Sequence, residues 1–370
     1  MQEYNSNSAG SDAPDINDIN ALLKYACGKN ATDLHIAVGA RPVMRVGSVL
    51  EKLPGTEAVF TKTVEAHVRS LVDDKQMALL DEQGEIDFSF SQPGLGRFRA
   101  NVYKQRSTFG IAIRSLPLHI PPFDSLGLPA IIKSFAKRNK GLVLSTGPTG
   151  SGKTTTLASM VDIINTERQC HIITIEDPIE YLHRHKQSLV CQREVGTDTK
   201  SFQNALRAAL REDPDVILVG EMRDAETIAI VLTAAETGHL VFSTLHTVSA
   251  ALTVDRIIDV FPPNQQNQIK SQLATVLEGV ASQHMIPKKD GSGVAVACEV
   301  MIVNNAIRNL IREGKPHQIN SIIQTGANVG MQTMESSLAS LVSSGVISQE
   351  DALLRASDAQ LLTQLLSRRW

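Results

Sequence analysis

The stretch "GLVLSTGPTGSGKTTTLASMVDII", residues 141–164, leaves a chain few ways to fold. Its apolar opening reads as a strand buried on both faces, and its end reads as a helix. Between them "GPTGSGKT" satisfies G-x-x-x-x-G-K-[ST] in full. Glycines let successive backbone N–H groups converge on phosphate oxygens without obstruction by a Cβ, and the following helix turns its positive end toward the anion. The expected phosphate cradle is Gly147, Pro148, Thr149, Gly150, Ser151, Gly152, Lys153, Thr154 and Thr155. Lys153 is expected to reach the β- and γ-phosphates of ATP, and the Thr154 hydroxyl to hold Mg²⁺.

A strand–loop–helix unit of this kind implies a largely parallel sheet with helices on both faces, whose strands end at the nucleotide. "HIITIE", "DVILVG" and "HLVFST" are further core strands on this reading, alternating with helical stretches. In "DVILVGEMRD" the apolar run Val216–Val219 is broken by Gly220 and closed by Glu221. A carboxylate at the tip of a core strand is costly unless a cation or donor meets it, so Glu221 is expected to face the γ-phosphate, its attacking water, or both. "TIEDPIEY" carries Glu176, Asp177 and Glu180 at another strand end, and Glu180 is the best candidate to support Mg²⁺ or water. Glu221, too, is a candidate Mg²⁺ ligand. His239 and His246 flank the strand in "TGHLVFSTLHT" and invite a role in sensing the γ-phosphate. "HRH", residues 183–185, reads as a solvated loop.

Upstream the pattern differs. Ile16, Ile19, Leu22, Leu23 and Ala26 follow helical spacing, and one helix is expected over Thr61–Leu80. "LHIAV", "VMRVGSVL", "EIDFSFS", "RFRANVY" and "FGIAIRSL" read as strands, giving a small α+β domain with an antiparallel sheet. Three prolines in "PLHIPP" mark a stiff linker. The expected organisation is a polar tail (1–14), an N-terminal domain (15–116), a linker (117–122) and a nucleotide-binding domain with C-terminal helices (123–370). A net charge of −3 gives no bulk attraction to nucleic acid, and no basic stretch interleaved with aromatics occurs. The four cysteines form no C-x-x-C pair, which argues against a zinc clamp and fits a reducing compartment. The polar N-terminus lacks the apolar segment of a secretory signal, and the most apolar stretch, "GVAVACEVMIV", is too short to span a bilayer.

Together these stretches resemble the secretion and type IV pilus ATPase superfamily. "GPTGSGKTTT" is similar to its Walker A box, "TIEDPIEY" to its acidic box, "LREDPDVILVGEMRDAET" to its Walker B box with the Gly-Glu ending, and "TGHLVFSTLHT" to its His box. "AIRNLIRE" (residues 306–313) resembles the signature of the retraction ATPases, as does "GMQTMESSLASLVSSGVIS". The resemblance implies a PAS-like domain followed by a RecA-like P-loop ATPase domain and a homohexameric ring. It implies ATP hydrolysis driving pilus retraction and twitching motility. It also implies that arginines of the N-terminal domain complete the nucleotide site, for which Arg97, Arg99 and Arg114 stand at alternate strand positions that share a face. Arg308 and Arg312, four apart, are expected to project together from the retraction helix. The implied setting is cytoplasmic, held at the inner membrane by a pilus platform protein, with a paralogous pilus ATPase as a further partner. Two rival readings stand beside this one: an accessory nucleotide-binding ring that supports another motor, and an extension or type II secretion ATPase, against which the absent paired-cysteine element counts.

Overall fold

The computed structural model describes residues 13–47, 49–117 and 119–367. Most of the expected polar tail therefore lies outside the described residues. The chain divides into two compact units at position 118.

The first unit opens with α1 (Ile19–Gly28), which starts at Ile19 because the Asp18 side chain accepts from Asn20 N and caps the first turn. Strands β1 (Ala31–Ala37), β2 (Val43–Val46) and β3 (Val49–Lys52) follow. The single helix expected over Thr61–Leu80 is two: α2 (Thr61–Leu71) and α3 (Asp74–Gln83). Asp73 breaks the run, exchanging side-chain and backbone hydrogen bonds with Gln76 in a capping box that begins a new helix. Strands β4 (Glu85–Gln92), β5 (Gly96–Gln105) and β6 (Thr108–Ser115) complete an antiparallel sheet in the order β3-β2-β1-β6-β5-β4. Period-two alternation sets its faces: Phe98, Ala100 and Val102 are buried with Leu34, Ile36, Ile111 and Ile113, and Arg97 and Arg99 point the other way.

The second unit carries α4 (Lys133–Ala136), β7 (Gly141–Thr146), α5 (Lys153–Glu167), β8 (His171–Glu176), β9 (Leu189–Glu194), α6 (Phe202–Ala209), β10 (Val216–Val219), α7 (Ala225–Glu236), β11 (Leu240–Leu245), α8 (Ala250–Asp259) and α9 (Pro263–Val276). It continues through β12 (Leu277–Pro287) and β13 (Val294–Ile302) to helices α10 (Asn305–Glu313), α11 (Ile319–Thr325), α12 (Met334–Ser343), α13 (Gln349–Arg355) and α14 (Ala359–Ser367). The sheet order is β13-β12-β7-β11-β10-β8-β9, parallel except for β13 against β12. Alternate residues of one strand enter different cores. Leu142, Leu144, Ile217 and Val219 pack with α6 to α11, whereas Val143, Val216 and Leu218 pack with α4 and α5. Burial on both faces explains the unbroken apolar runs. The apolar stretch "GVAVACEVMIV" forms β13 and the turn around it, and among the described residues no helix is long and apolar enough to cross a membrane.

Candidate nucleotide site

Registers of the parallel strands bring the ends of β7, β11, β10 and β8 to one edge: Thr146 lies beside Leu245, Ser243 beside Val219, and Val219 beside Ile175. The loop 147–152 leaves β7 at this edge and closes on α5. Gly147 has φ +139°, and a Cβ there would stand 2.3 Å from the Gln283 carbonyl and 2.6 Å from Ser151 Oγ. Only glycine fits. Beneath the loop, Gln283 of β12 accepts from Ser145 Oγ at 2.8 Å and donates to Thr156 Oγ1 at 2.9 Å, so one buried amide ties β7 to α5. Ser151 Oγ is buried without a hydrogen-bond partner. An orphaned donor within a ring of backbone N–H groups fits an anion such as a phosphate.

Lys153, the first residue of α5, is buried and donates to the carbonyls of Gly147 at 2.8 Å and Pro148 at 2.9 Å. Burial lowers its pKa, and the negative charges of Glu180 and Glu221 partly restore it. The charges of both acids singled out in the sequence are thus felt at the same ammonium group. Thr154 and Thr155 follow in the first turn, and Thr155 Oγ1 meets the Tyr181 hydroxyl at 3.0 Å, joining α5 to the acidic segment.

Glu221 stands one residue past Gly220. A Cβ on Gly220 would stand 3.4 Å from the backbone of β8. The Glu221 side chain is 16% exposed; Oε1 pairs with Arg223 Nε at 2.5 Å, and Oε2 lies 3.8 Å from His246 Nε2, an ion pair when the imidazole is protonated. Glu180 follows the cis Asp177–Pro178 bond, and the adjoining Ile179 N donates to Glu194 at 3.0 Å. Glu176, at the end of β8, is buried; desolvation pushes its pKa up to about 7, against hydrogen bonds from Thr174 and Gln192 and with a further upward push from Glu180.

The structure therefore gathers Lys153, Thr154, Thr155, Glu180, Glu221 and His246 at one edge. It does not bring His239 there. Leu240 is in register with Gly141, so His239 sits at the opposite edge, roughly 20 Å of strand away. Its Nδ1 donates to the Ala234 carbonyl at 2.8 Å near the end of α7. In the "HRH" loop Arg184 and His185 are exposed as expected, whereas His183 is half-buried and desolvation lowers its pKa to about 4. In the first unit, Arg99 and Arg114 are direct cross-strand partners and share a face with Arg97. They engage acids and hydroxyls of their own sheet: Arg99 with Asp87 at 3.5 Å, Arg114 with Asp33 at 2.8 Å, and Arg97 with Ser89. Gln283 and Gln192 went unnoticed in the sequence, since each acts across a distance that no local spacing encodes; Arg223 went unnoticed although it stands two residues from the acid it pairs with.

A family profile described as type II/IV secretion system protein matches residues 8–355. The type IV pilus retraction ATPase PilT of Pseudomonas aeruginosa is 49% identical over 341 residues, covering 92% of this chain and 98% of that protein. A twitching motility protein of Neisseria gonorrhoeae is 48% identical, covering 87% of this chain and 86% of its own. The crystal structure of the pilus retraction motor PilT with bound ADP matches with a TM-score of 0.89 at 49% identity, covering 94% of this chain and 99% of that one. The chain therefore belongs to the type II/IV secretion system protein family and is PilT-like within it.

Proposed function

We propose that this chain is an ATP-hydrolysing motor that powers type IV pilus retraction, working as a homohexamer. The observation that carries the reading is the glycine loop itself, with Lys153 buried on the Gly147 and Pro148 carbonyls and the Ser151 hydroxyl left without a protein partner. The loop N–H groups, the Ser151 hydroxyl and Lys153 bind the phosphates. Glu221, held between Arg223 and His246, orients and deprotonates the attacking water. Among the described residues no group of three or more His, Cys, Asp and Glu side chains could hold a metal by itself. Thr154, with Glu180 or Glu221 and the phosphate oxygens, would therefore hold Mg²⁺, which neutralises charge developing on the phosphates. His246 senses the γ-phosphate through its contact with Glu221. Arg97, Arg99 and Arg114 are the proposed arginines that stabilise transition-state charge, each leaving its partner within the sheet to do so.

The proposed setting is the cytoplasmic side of the inner membrane, against a pilus platform protein and alongside a paralogous pilus ATPase. Deletion of the gene, followed by direct observation of pili, tests the direction of work. The account expects surface filaments that accumulate and do not retract. Loss of filaments would instead assign extension, and normal retraction in the presence of a paralogue would assign an accessory ring.

A further inference from the structure

Away from the nucleotide site, one thiol of the second unit meets a base. Cys191 lies on β9, the outermost strand of its sheet, where Leu189, Cys191 and Arg193 share a face. The cysteine is half-buried, and its neighbour Leu189 is exposed. On the adjoining strand β8, Ile173 is in register with Cys191, and His171 stands two residues earlier on the same face. His171 Nε2 lies 3.4 Å from Cys191 Sγ.

The other side of the ring fixes its tautomer. Nδ1 is 3.0 Å from the Glu212 carbonyl and 3.3 Å from the Asp213 carbonyl. Carbonyl oxygens only accept, so Nδ1 carries a proton and donates. In the neutral ring Nε2 is then the acceptor, and the Cys191 S–H donates to it. The backbone holds this geometry from below, because His171 N donates to Asp215 Oδ2 at 2.8 Å. A nucleophile bonded to a base that a third group orients is the arrangement that activates side-chain nucleophiles. The nearby charges offset each other, Arg193 pairing with Glu212 at 3.3 Å.

The other three thiols have no such base. Cys298 is fully buried, its Sγ donates to the Glu299 carbonyl at 3.4 Å, and burial pushes its pKa far up. Burial also raises Cys27, against a hydrogen bond with Ser115. Cys170 meets the Ser188 hydroxyl at 3.2 Å, and that hydroxyl donates to the Arg168 carbonyl.

We infer that Cys191 is a modification site, a thiol that hydroperoxides oxidise to the sulfenic acid with His171 as its base. His171 Nε2 takes the thiol proton while Nδ1–H stays on the two carbonyls. The sulfur electron pair attacks one oxygen of hydrogen peroxide, the S–O bond forms and the O–O bond breaks. The leaving oxygen collects the proton from Nε2 and departs as water. Sulfur loses two electrons, the peroxide gains them, and the imidazole ends neutral. The oxygen is added one residue from Gln192, whose amide donates to Glu176 and to the Tyr181 carbonyl. Oxidation thus falls on the strand that braces the acidic segment.

Treatment of the full chain with hydrogen peroxide and dimedone, which traps sulfenic acids, followed by peptide mass spectrometry, tests this. Cys191 is expected to be labelled about tenfold faster than Cys27 or Cys170, with buried Cys298 as the internal control for folding. His171→Phe keeps a ring and removes both nitrogens. It is expected to slow labelling of Cys191 about tenfold and to leave Cys27 and Cys170 within about twofold. Labelling of Cys191 no faster than that of Cys27 or Cys170 in the wild-type chain overturns the inference without recourse to any variant. An unchanged Cys191 rate in His171→Phe also overturns it, by assigning the reactivity to exposure alone.

Discussion

Glu221 lies among three basic side chains. Arg223 sits at 2.5 Å, His246 at 3.8 Å, and Lys153 feels its charge. Its desolvation cost at the end of β10 is met by these partners, which is the condition for a charged acid at a strand tip. Glu176 and Glu299 are the opposite case. Each is buried with hydrogen bonds but no cation, and desolvation pushes each to about 7. A carboxyl whose pKa is higher folded than unfolded holds more protons in the native state, so its contribution to stability is full below the unfolded value near 4.5 and is lost as pH rises through about 7. Glu299→Gln keeps an oxygen to accept from Ala250 N and removes the titration. It is expected to leave the unfolding temperature near wild type at pH 5 and to raise stability by about 2 kcal/mol at pH 8. Thermal melts at the two pH values check this; an equal shift at both would mean that Glu299 is not neutral in the fold.

At the scale of elements, the retraction-type helix α10 shows what spacing reveals and what it conceals. Ile307 and Ile311 form its buried stripe, with Leu310 half-buried beside them. Arg308 and Arg312, however, do different things. Arg308 donates to the carbonyls of Ala274 and Thr275 at the end of α9 and to Glu278 at 2.8 Å, while Arg312 reaches only Asn309 on its own helix. Arg308 thereby satisfies helix-terminal carbonyls that would otherwise be orphaned. Arg308→Ala should cost about 1–3 kcal/mol, whereas Arg312→Ala should stay within about 0.5 kcal/mol of wild type. Denaturant melts of the two single variants separate them, and equal stability in both would remove the clamp from this account.

The same contrast runs through the fold. The phosphate loop, β7, β8, β10 and β11 were legible because two-sided burial writes itself as an apolar run. The antiparallel N-terminal strands were legible because Phe98, Ala100 and Val102 alternate with Arg97, Arg99 and Asn101. Strand β9 was missed because "LVCQRE" turns polar where Gln192 donates to Glu176 and the Tyr181 carbonyl, and Glu194 accepts from Ile179 N, in the acidic segment. The α2–α3 break was missed because Asp73 looks like one more exposed helical residue until its capping partner is seen. His239 was drawn into the site by its neighbour in sequence, yet a strand of six residues carries it to the far edge.

For the whole molecule, the residues proposed for binding, hydrolysis and response stand on adjacent parts of one sheet edge of the P-loop unit. Lys153 leads into α5, Glu180 into the acidic segment, Glu221 into the turn before α7, and His246 into the loop before α8. Each element that leaves the site can therefore move when a phosphate is gained or lost, as conversion of hydrolysis into mechanical work requires. The claim on which this rests is that Glu221 activates water against a bound ATP. Steady-state ATPase assay of Glu221→Gln, paired with ADP binding, tests it most directly. The account predicts ADP affinity within about threefold of wild type and turnover reduced about 100-fold or more. Turnover near the wild-type rate with the same ADP affinity would contradict it.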